Sequence, residues 1–555
     1  MKHVMKSLKH NGIYVPPYDL KGFNIKIQGQ KITLTEKSEP MAVAWVRRTL
    51  STTIAAPDQV FTKNFMREFL EQLKKENLNA KYLDTFTGKF LESIDNSSLS
   101  AQAIDGKQQY EIDFDEIKKF ILDERAKKEA LTKEEKKAIA EENKVKRLEM
   151  KEKFGYAEVD GQKLEVANWT AEPSCLFAGR GDHPQRGKWK EGPSQENITL
   201  NLSPEAPRLR GWKIIWEPDR MYVAKWVDKL TGKVKYVWFS DTAFLKQERE
   251  KEKFQKAESL GKQITKVEKH INDNLKAKEG ERRKVATVAW LIFAVNLRVG
   301  DEKDPDEADT VGAITLRDEH ISIKGSKVTF DFLGKDSVQW IKTIQAPAQV
   351  IKNLEEFKKD KTKQYLFEGI DSKKVSRFLS EVVPKLSAKV FRTWKCTKTL
   401  REELDQSGVT KEDPDYRKNY VAKMANLKVA EVANHKRKIP STFDERLKQK
   451  EEKLKIMQAD FETKKAEGKK VESLKARIEK ATLDLELTRL TREYNLGTSL
   501  KSYIDPQAYV KWAKKVKFDI IKFYPTTLRN KFSWALQDKA KKVNTSKETS
   551  ESTPV

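Results

Sequence analysis

"FDERLKQKEEKLKIMQADFETKKAEGKKVESLKARIEKATLDLELTRL", residues 443–490, organises everything around it. Phe443, Leu447, Leu454, Met457 and Phe461 make one apolar seam, Gly468 interrupts, and Val471, Leu474, Ile478, Ala481 and Leu485 recur at spacings of three and four. Such spacing returns each apolar group to the same side of a helix, and a glycine between two such runs lets the chain reverse. The stretch predicts an antiparallel coiled-coil hairpin over 441–492, too short for a filament.

Working outward, residues 493–540 read as a small globular piece holding "GTSLKSYIDP" (497–506) and the aromatic run "FYPTTLRNKFSWAL" (523–536). The end, 541–555, is polar enough to predict a disordered tail. Upstream, 241–440 is compact and more apolar. A charged helical leader runs into "VATVAWLIFAVNL" (285–297), whose 13 residues fall short of the roughly 20 that cross a bilayer and so predict a buried core helix. Residues 1–240 are mixed α/β, with 20–125 as a subdomain and a lysine- and glutamate-rich stretch at 126–155 that predicts solvated helices.

The 555 residues carry 110 Lys and Arg against 84 Asp and Glu, a net charge of +26, which points to nucleic acid or an anionic membrane as partner. Twelve Trp and 25 Phe exclude a disordered basic tail as the whole story. The N-terminus has no apolar signal core. Only Cys175 and Cys396 are present, which fits a reducing compartment. No GxxxxGK[ST] loop occurs, and the six histidines form no HExxH or His/Cys cluster, so neither a P-loop nor a zinc site is supported.

What remains is a set of cationic groups at structural transitions. Arg298 follows the buried run directly. Lys335 lies in "VTFDFLGKDSVQW" (328–340), where alternating apolar residues break at Leu-Gly-Lys-Asp and resume, a β-hairpin with lysine at its tip. Arg392 sits in "AKVFRTWKC" (388–396), and His435 ends a helical pattern ahead of Pro440. Taken singly, each reads as an ordinary helix end, turn or core group, and Tyr503 as packing.

Their order carries more. "LRVGDEKDPDEADTVGAITLRDEHI" (297–321), "FDFLGKDSV" (330–338), "AKVFRTW" (388–394), "VANHKRKIPSTF" (432–443) and "LGTSLKSYIDP" (496–506) closely resemble the type IB DNA topoisomerases, in the eukaryotic nuclear topoisomerase I branch. "GIYVPPY" (12–18) and "LFAGRGDHP" (176–184) match the same branch, so the resemblance runs from about residue 10 to about 540.

The resemblance implies an α+β multidomain clamp: a mixed α/β cap lobe over 1–240, a mainly α-helical catalytic lobe with a β-hairpin over 241–440, the coiled-coil linker, and a small α-helical C-terminal domain delivering the tyrosine. It implies a nucleophile, Tyr503, with Arg298, Lys335, Arg392 and His435 as the remaining catalytic set. Arg180, His183, Lys303, Thr310, Asp336, Lys389 and Thr498 match DNA-contacting positions. The implied activity is relaxation of supercoiled duplex DNA in replication and transcription, through a 3′-phosphotyrosine, without ATP, cofactor or obligatory metal. The implied partner is double-stranded DNA encircled by a monomer, with no membrane. Localisation would be nuclear, or a virus factory or virion for a viral form.

Four departures stand out. Ser502 precedes the tyrosine where the family typically has Asn, Asp301 replaces an Asn beside the first arginine, the linker is short, and the long charged N-terminal extension is missing. Two other functions share features with this reading. Tyrosine recombinases use the same chemistry but usually carry His three residues before the second arginine, where this chain has Lys389. An architectural DNA-binding protein would use the basic surface alone and be indifferent to Tyr503→Phe.

Overall fold

The computed structural model describes residues 4–54, 56–77, 81–96, 102–105, 108–301, 310–359 and 364–536. The predicted tail at 541–555 lies outside them. The chain divides into two compact units, with the boundary between Lys246 and Gln247. It is a mixed α/β protein with several small sheets and a helical C-terminal region.

The first unit holds two separate cores. In one, a four-stranded sheet (order Gln30–Thr33, Asn24–Ile27, Gln108–Asp113, Gln102–Asp105) meets the helices Ser38–Thr49, Gln59–Glu76 and Tyr82–Asn96. Phe61, Phe65 and Phe69 recur every four residues along the second of these helices, so they line one face, where Trp45 stacks on Phe65 at 4.5 Å. The other core is built from the sheets that contain Leu8–His10 and Tyr222–Val227. The charged stretch 126–155 includes the helix Lys133–Phe154, which opens with a Thr132/Glu135 capping box and has no buried residue. Its i,i+4 pattern of Lys and Glu leaves no apolar stripe to bury.

In the second unit the run 285–297 enters the core as a helix, Gly280–Trp290, extended by a π turn over Leu291–Val295. Around it lie the helices Ala348–Lys359, Ser372–Ser380 and Ala388–Gln406 and a three-stranded antiparallel sheet. The predicted hairpin supplies two of that sheet's strands, Lys327–Gly334 and Val338–Gln345. The third, Ile321–Lys324, was not read from the sequence. Val328, Phe330 and Phe332 face inward together, as a period of two requires.

Residues 443–490 form the helices Phe443–Ala466 and Glu472–Leu490, reversed at Gly468, whose φ of 69° suits glycine. Phe443, Leu454, Leu474 and Leu485 are buried, and ion pairs Lys450–Asp484 and Arg489–Glu451 tie the two helices in antiparallel register. Leu487, outside the seam, is also buried, and the second helix packs on the helix Asp415–Val432. Beyond it come the short helices Leu496–Ser502, Pro506–Lys515, Ile520–Phe523 and Thr526–Lys531. This segment has no core of its own. Leu500, Ile504, Tyr509, Trp512 and Phe532 share one cluster with Phe254, Cys396, Leu400, Ala425 and Val429. Among the described residues no helix is long and apolar enough to cross a membrane.

Candidate active site

Two asparagines end two helices in the same way. The π turn stops at Asn296, with φ 65°, and the helix Asp415–Val432 is followed by Asn434, with φ 49°. Asparagine is among the few side chains that tolerate this left-handed backbone, and one such residue terminates a helix cleanly. Arg298 and His435 follow two residues and one residue later. Both are therefore carried on chain leaving a fixed helix end.

Arg298 is held by its backbone. Its carbonyl accepts the Ala313 N–H at 2.8 Å, and that of Val299 accepts the Ile314 N–H at 2.9 Å. This pairing needs close approach: a Cβ on Gly312 would sit 2.5 Å from the Gly300 Cα, and Gly300 itself has φ 69°. Both positions must be glycine. The neighbouring Asp301 carboxylate accepts the Ser372 N–H at 2.9 Å, at the start of the helix Ser372–Ser380.

Arg392 projects from the helix Ala388–Gln406 and is 5% exposed. Its guanidinium donates to the carbonyls of Asn296 and, at 3.1 Å, Ala433, the residue just before Asn434. No carboxylate pairs with it among the described residues, and its Nε has no hydrogen-bond partner. Burial and then the nearby Arg298 pull its pKa below the ordinary arginine range, while Tyr503 opposes them. A buried cation bonded to backbone carbonyls and the Tyr503 side chain, with no carboxylate among the described residues, lacks the neutralising charge that such groups normally find.

His435 is 4% exposed. Its Nδ1 lies 2.6 Å from the Ser499 hydroxyl, whereas its Nε2 has no partner. Burial, followed by the charges of Arg392 and Arg298, pushes its pKa down to about 3, so the ring is neutral at physiological pH. Tyr503 caps the helix Leu496–Ser502. Its ring centre lies 5.0 Å from that of His435 and 5.2 Å from the Arg392 guanidinium carbon. Thr397, one turn beyond Arg392, fixes the tyrosine's backbone: its hydroxyl donates to the Tyr503 carbonyl at 3.3 Å and accepts from the Asp505 N–H at 3.1 Å. Lys253 Nζ donates to the Ser502 carbonyl at 3.1 Å.

Lys335 starts the short turn Lys335–Ser337 between the paired strands and is exposed. Together with Arg298 and Arg392 it lines a small cleft bordered by Gly334, Trp340 and Asn434. Asn434 ties the hairpin in by donating from Nδ2 to the Gln339 carbonyl at 3.1 Å. All five residues of the expected catalytic set thus lie in the second unit, three in direct contact and two joined through this cleft.

The expected DNA contacts are more scattered. Lys389 is exposed in the first turn of the Arg392 helix, Thr498 is half-buried in the Tyr503 helix, and Thr310 is half-buried beside Val311. Arg180 and His183 lie in the first unit, in the loop between the paired strands Cys175–Leu176 and Trp189–Lys190. There the Phe177 ring packs edge-on to His183 at 4.8 Å, and His183 Nδ1 accepts the Gln185 N–H at 3.2 Å. Lys303 and the side chain of Asp336 lie outside the described residues. Sequence reasoning missed Ser499, Thr397, Asn296 and Asn434. Of these, only the two asparagines left a signal, as helix-ending residues just ahead of a cation.

Three family profiles match in series: eukaryotic DNA topoisomerase I, DNA binding fragment, over residues 4–239; eukaryotic DNA topoisomerase I, catalytic core, over 242–468; and the C-terminal topoisomerase domain over 475–544. DNA topoisomerase 1 alpha of Arabidopsis thaliana is 32% identical across 96% of this chain, which spans 58% of that protein's length. DNA topoisomerase 1 of Homo sapiens is 29% identical over 96% of this chain and 70% of its own length. The human protein named DNA topoisomerase I, mitochondrial, is 28% identical over 96% and 90%. With profiles covering both units in order, the chain belongs to the eukaryotic DNA topoisomerase I family.

Proposed function

We propose that this protein is a type IB topoisomerase that relaxes supercoiled duplex DNA by transient single-strand cleavage. The observation that carries the reading is a pair of orphaned nitrogens beside Tyr503. Two buried nitrogens from different elements, Arg392 Nε and His435 Nε2, are unpartnered beside one tyrosine ring. Buried polar groups are normally paired, so two such nitrogens beside Arg298 and Arg392 suit an anionic ligand, here a phosphodiester.

In the chemistry we infer, the Tyr503 oxygen attacks phosphorus in line. A tyrosine–phosphorus bond forms at the 3′ side, and the bond to the 5′ oxygen breaks. The phenolic proton passes to solvent, and the leaving 5′ oxygen takes a proton from Lys335, the exposed cation at the hairpin turn. Charge that grows on the non-bridging oxygens is met by Arg298, Arg392 and the neutral His435 ring as a hydrogen-bond donor, all fixed beforehand by backbone and side-chain bonds. Because the phosphodiester energy is kept in the covalent link, the 5′ hydroxyl reverses the step without ATP.

The finer architecture follows the same reading. The two units would act as the jaws of a clamp around the duplex, Arg180, His183, Lys303, Thr310, Asp336, Lys389 and Thr498 would contact DNA, the hairpin 441–492 would be a coiled-coil linker, and 493–540 a C-terminal domain. The net charge of +26 and the DNA-binding-fragment match support duplex DNA as partner. The protein would act as a monomer, and its eukaryotic relatives favour the nucleus as its site of action. Lys389, where recombinases usually place histidine, supports relaxation over recombination.

The test incubates the 555-residue protein with supercoiled plasmid, without ATP and with excess EDTA, beside Tyr503→Phe. Relaxation by the wild type alone supports the reading; activity retained by Tyr503→Phe overturns it. For Lys335, a 5′-bridging phosphorothiolate substrate, whose thiolate leaves without protonation, should restore cleavage to Lys335→Ala. Equal defects on both substrates would remove Lys335 from that role.

A further inference from the structure

We infer that Ser499 is a positioning residue: its hydroxyl selects the tautomer of His435 that can donate a hydrogen bond to the substrate phosphate, and it couples that selection to docking of the tyrosine helix. The inference rests on the role given to His435 above.

Ser499 is fully buried on the helix Leu496–Ser502, four residues before Tyr503. Its carbonyl accepts the Tyr503 N–H at 2.9 Å and the Ile504 N–H at 3.1 Å, so its backbone is part of the nucleophile's own support. Among the described residues its hydroxyl has one partner, His435 Nδ1 at 2.6 Å. A neutral imidazole has one N–H and one bare nitrogen, which leaves two arrangements. If Nδ1 carried the hydrogen and donated to Ser499, the buried hydroxyl hydrogen would have no acceptor. If the hydroxyl donates to Nδ1, Nε2 carries the hydrogen, which finds no protein acceptor among the described residues and is matched once a phosphate oxygen lies against it. With a phosphate bound, only this second arrangement leaves no buried donor unmatched, so the Ser499 hydroxyl favours Nε2–H there. The Nε2–H form is the one that can donate to a phosphate oxygen.

The contact also crosses between two stretches of chain that come together only when the C-terminal segment docks. The Asn495 N–H donates to the His435 carbonyl at 2.7 Å, the Arg437 N–H to the Glu493 carbonyl at 2.8 Å, and Lys436 bridges Tyr494. This short zipper brings the Ser499 hydroxyl to the ring on the same move that brings Tyr503. Before docking, His435 is free to take either tautomer. After it, the donor form and the nucleophile are in place together.

The test measures single-turnover cleavage of a nicked duplex, alongside DNA affinity, for the wild type, Ser499→Ala, Ser499→Thr, His435→Ala and the Ser499/His435 double alanine variant. Ser499→Ala should cleave about 10- to 100-fold more slowly at unchanged affinity, a smaller loss than the roughly 10²–10³-fold expected for removing the donor itself. Ser499→Thr, which keeps a hydroxyl, should recover part of the rate. In the His435→Ala background, loss of the hydroxyl should change nothing. Nitrogen-15 shifts of the His435 ring, measured with a non-cleavable duplex bound, should show the Nε2–H tautomer in the wild type and a mixture in Ser499→Ala. A wild-type cleavage rate in Ser499→Ala, multiplicative losses in the double variant, or an Nδ1–H ring in the wild type would each overturn the inference. Wild-type cleavage by His435→Ala would overturn the role given to His435 as well, which separates the two failures.

Discussion

Residues 443–490 and 493–536 are consecutive, both are helical, and they are held by different forces. The hairpin has a thin seam, with few fully buried side chains, and ion pairs such as Lys450–Asp484 that stand in solvent. The segment after it is a set of short helices, most too short to be stable alone, whose aromatic residues fill a core begun by helices from far upstream. The first can be altered with local consequences. The second cannot, because Tyr503, Ser499 and the floor of the site move with its core.

Five experiments would break or sharpen that contrast. The largest effect is expected within the segment itself: Tyr503→Phe should abolish the covalent adduct and lower relaxation by at least about 10⁴-fold while leaving DNA binding intact. Next, Arg392→Ala should slow cleavage by about 10²–10³-fold. Arg392→Lys should not recover it, because one ammonium cannot span the Asn296 and Ala433 carbonyls as a planar fork does. Single-turnover assays at saturating DNA would show both.

Packing comes third. Phe532, fully buried in the shared cluster, should cost about 3–5 kcal/mol when changed to Ala, read from denaturant unfolding, and should depress cleavage without touching a catalytic atom. A variant that unfolds the C-terminal segment yet cleaves normally would refute the shared-core account.

The fourth concerns pH. His435 has its pKa lowered from 6.5 to about 3 in the folded state. Between those values the unfolded chain binds a proton that the folded one refuses, so stability falls as pH falls, by about 1.4 kcal/mol per pH unit from this group. His10, lowered to about 4 by burial in the first unit, adds a loss of the same sign there. Acid unfolding of His435→Gln should be shallower than that of the wild type in the second unit alone. The smallest effect belongs to the hairpin: Lys450→Ala removes an exposed pair worth at most about 1 kcal/mol and should leave cleavage of a nicked duplex unchanged.

The two regions also differed in how far they could be read. The hairpin was legible because its seam repeats every three or four residues and its reversal needs a glycine. The strand pair around Lys335 was legible for the same kind of reason, a period of two broken by a turn. Tyr503 had no period to reveal it. It was picked out through the order of five short motifs, and so was Arg392, whose helix reads as ordinary from its composition. Asn296 and Asn434 could have been noticed as helix-ending residues, but that the carbonyls of Asn296 and of Ala433, the residue before Asn434, hold Arg392 depends on two helix ends meeting. The strand Ile321–Lys324 was missed because four residues with one charged end are too few to show alternation.

What the sequence alone determined was the set of local periods, the basic balance, and the ordered motifs that mark the family. These are properties of neighbouring residues and of residue identity. Tertiary structure decided the electrostatics of the site: that Arg392 is buried against carbonyl groups with no acid among the described residues, that His435 is neutral, and that Ser499 faces its ring. Burial and charge proximity depend on groups 41, 64 and 96 positions apart in the chain, and no periodicity records which of them will meet.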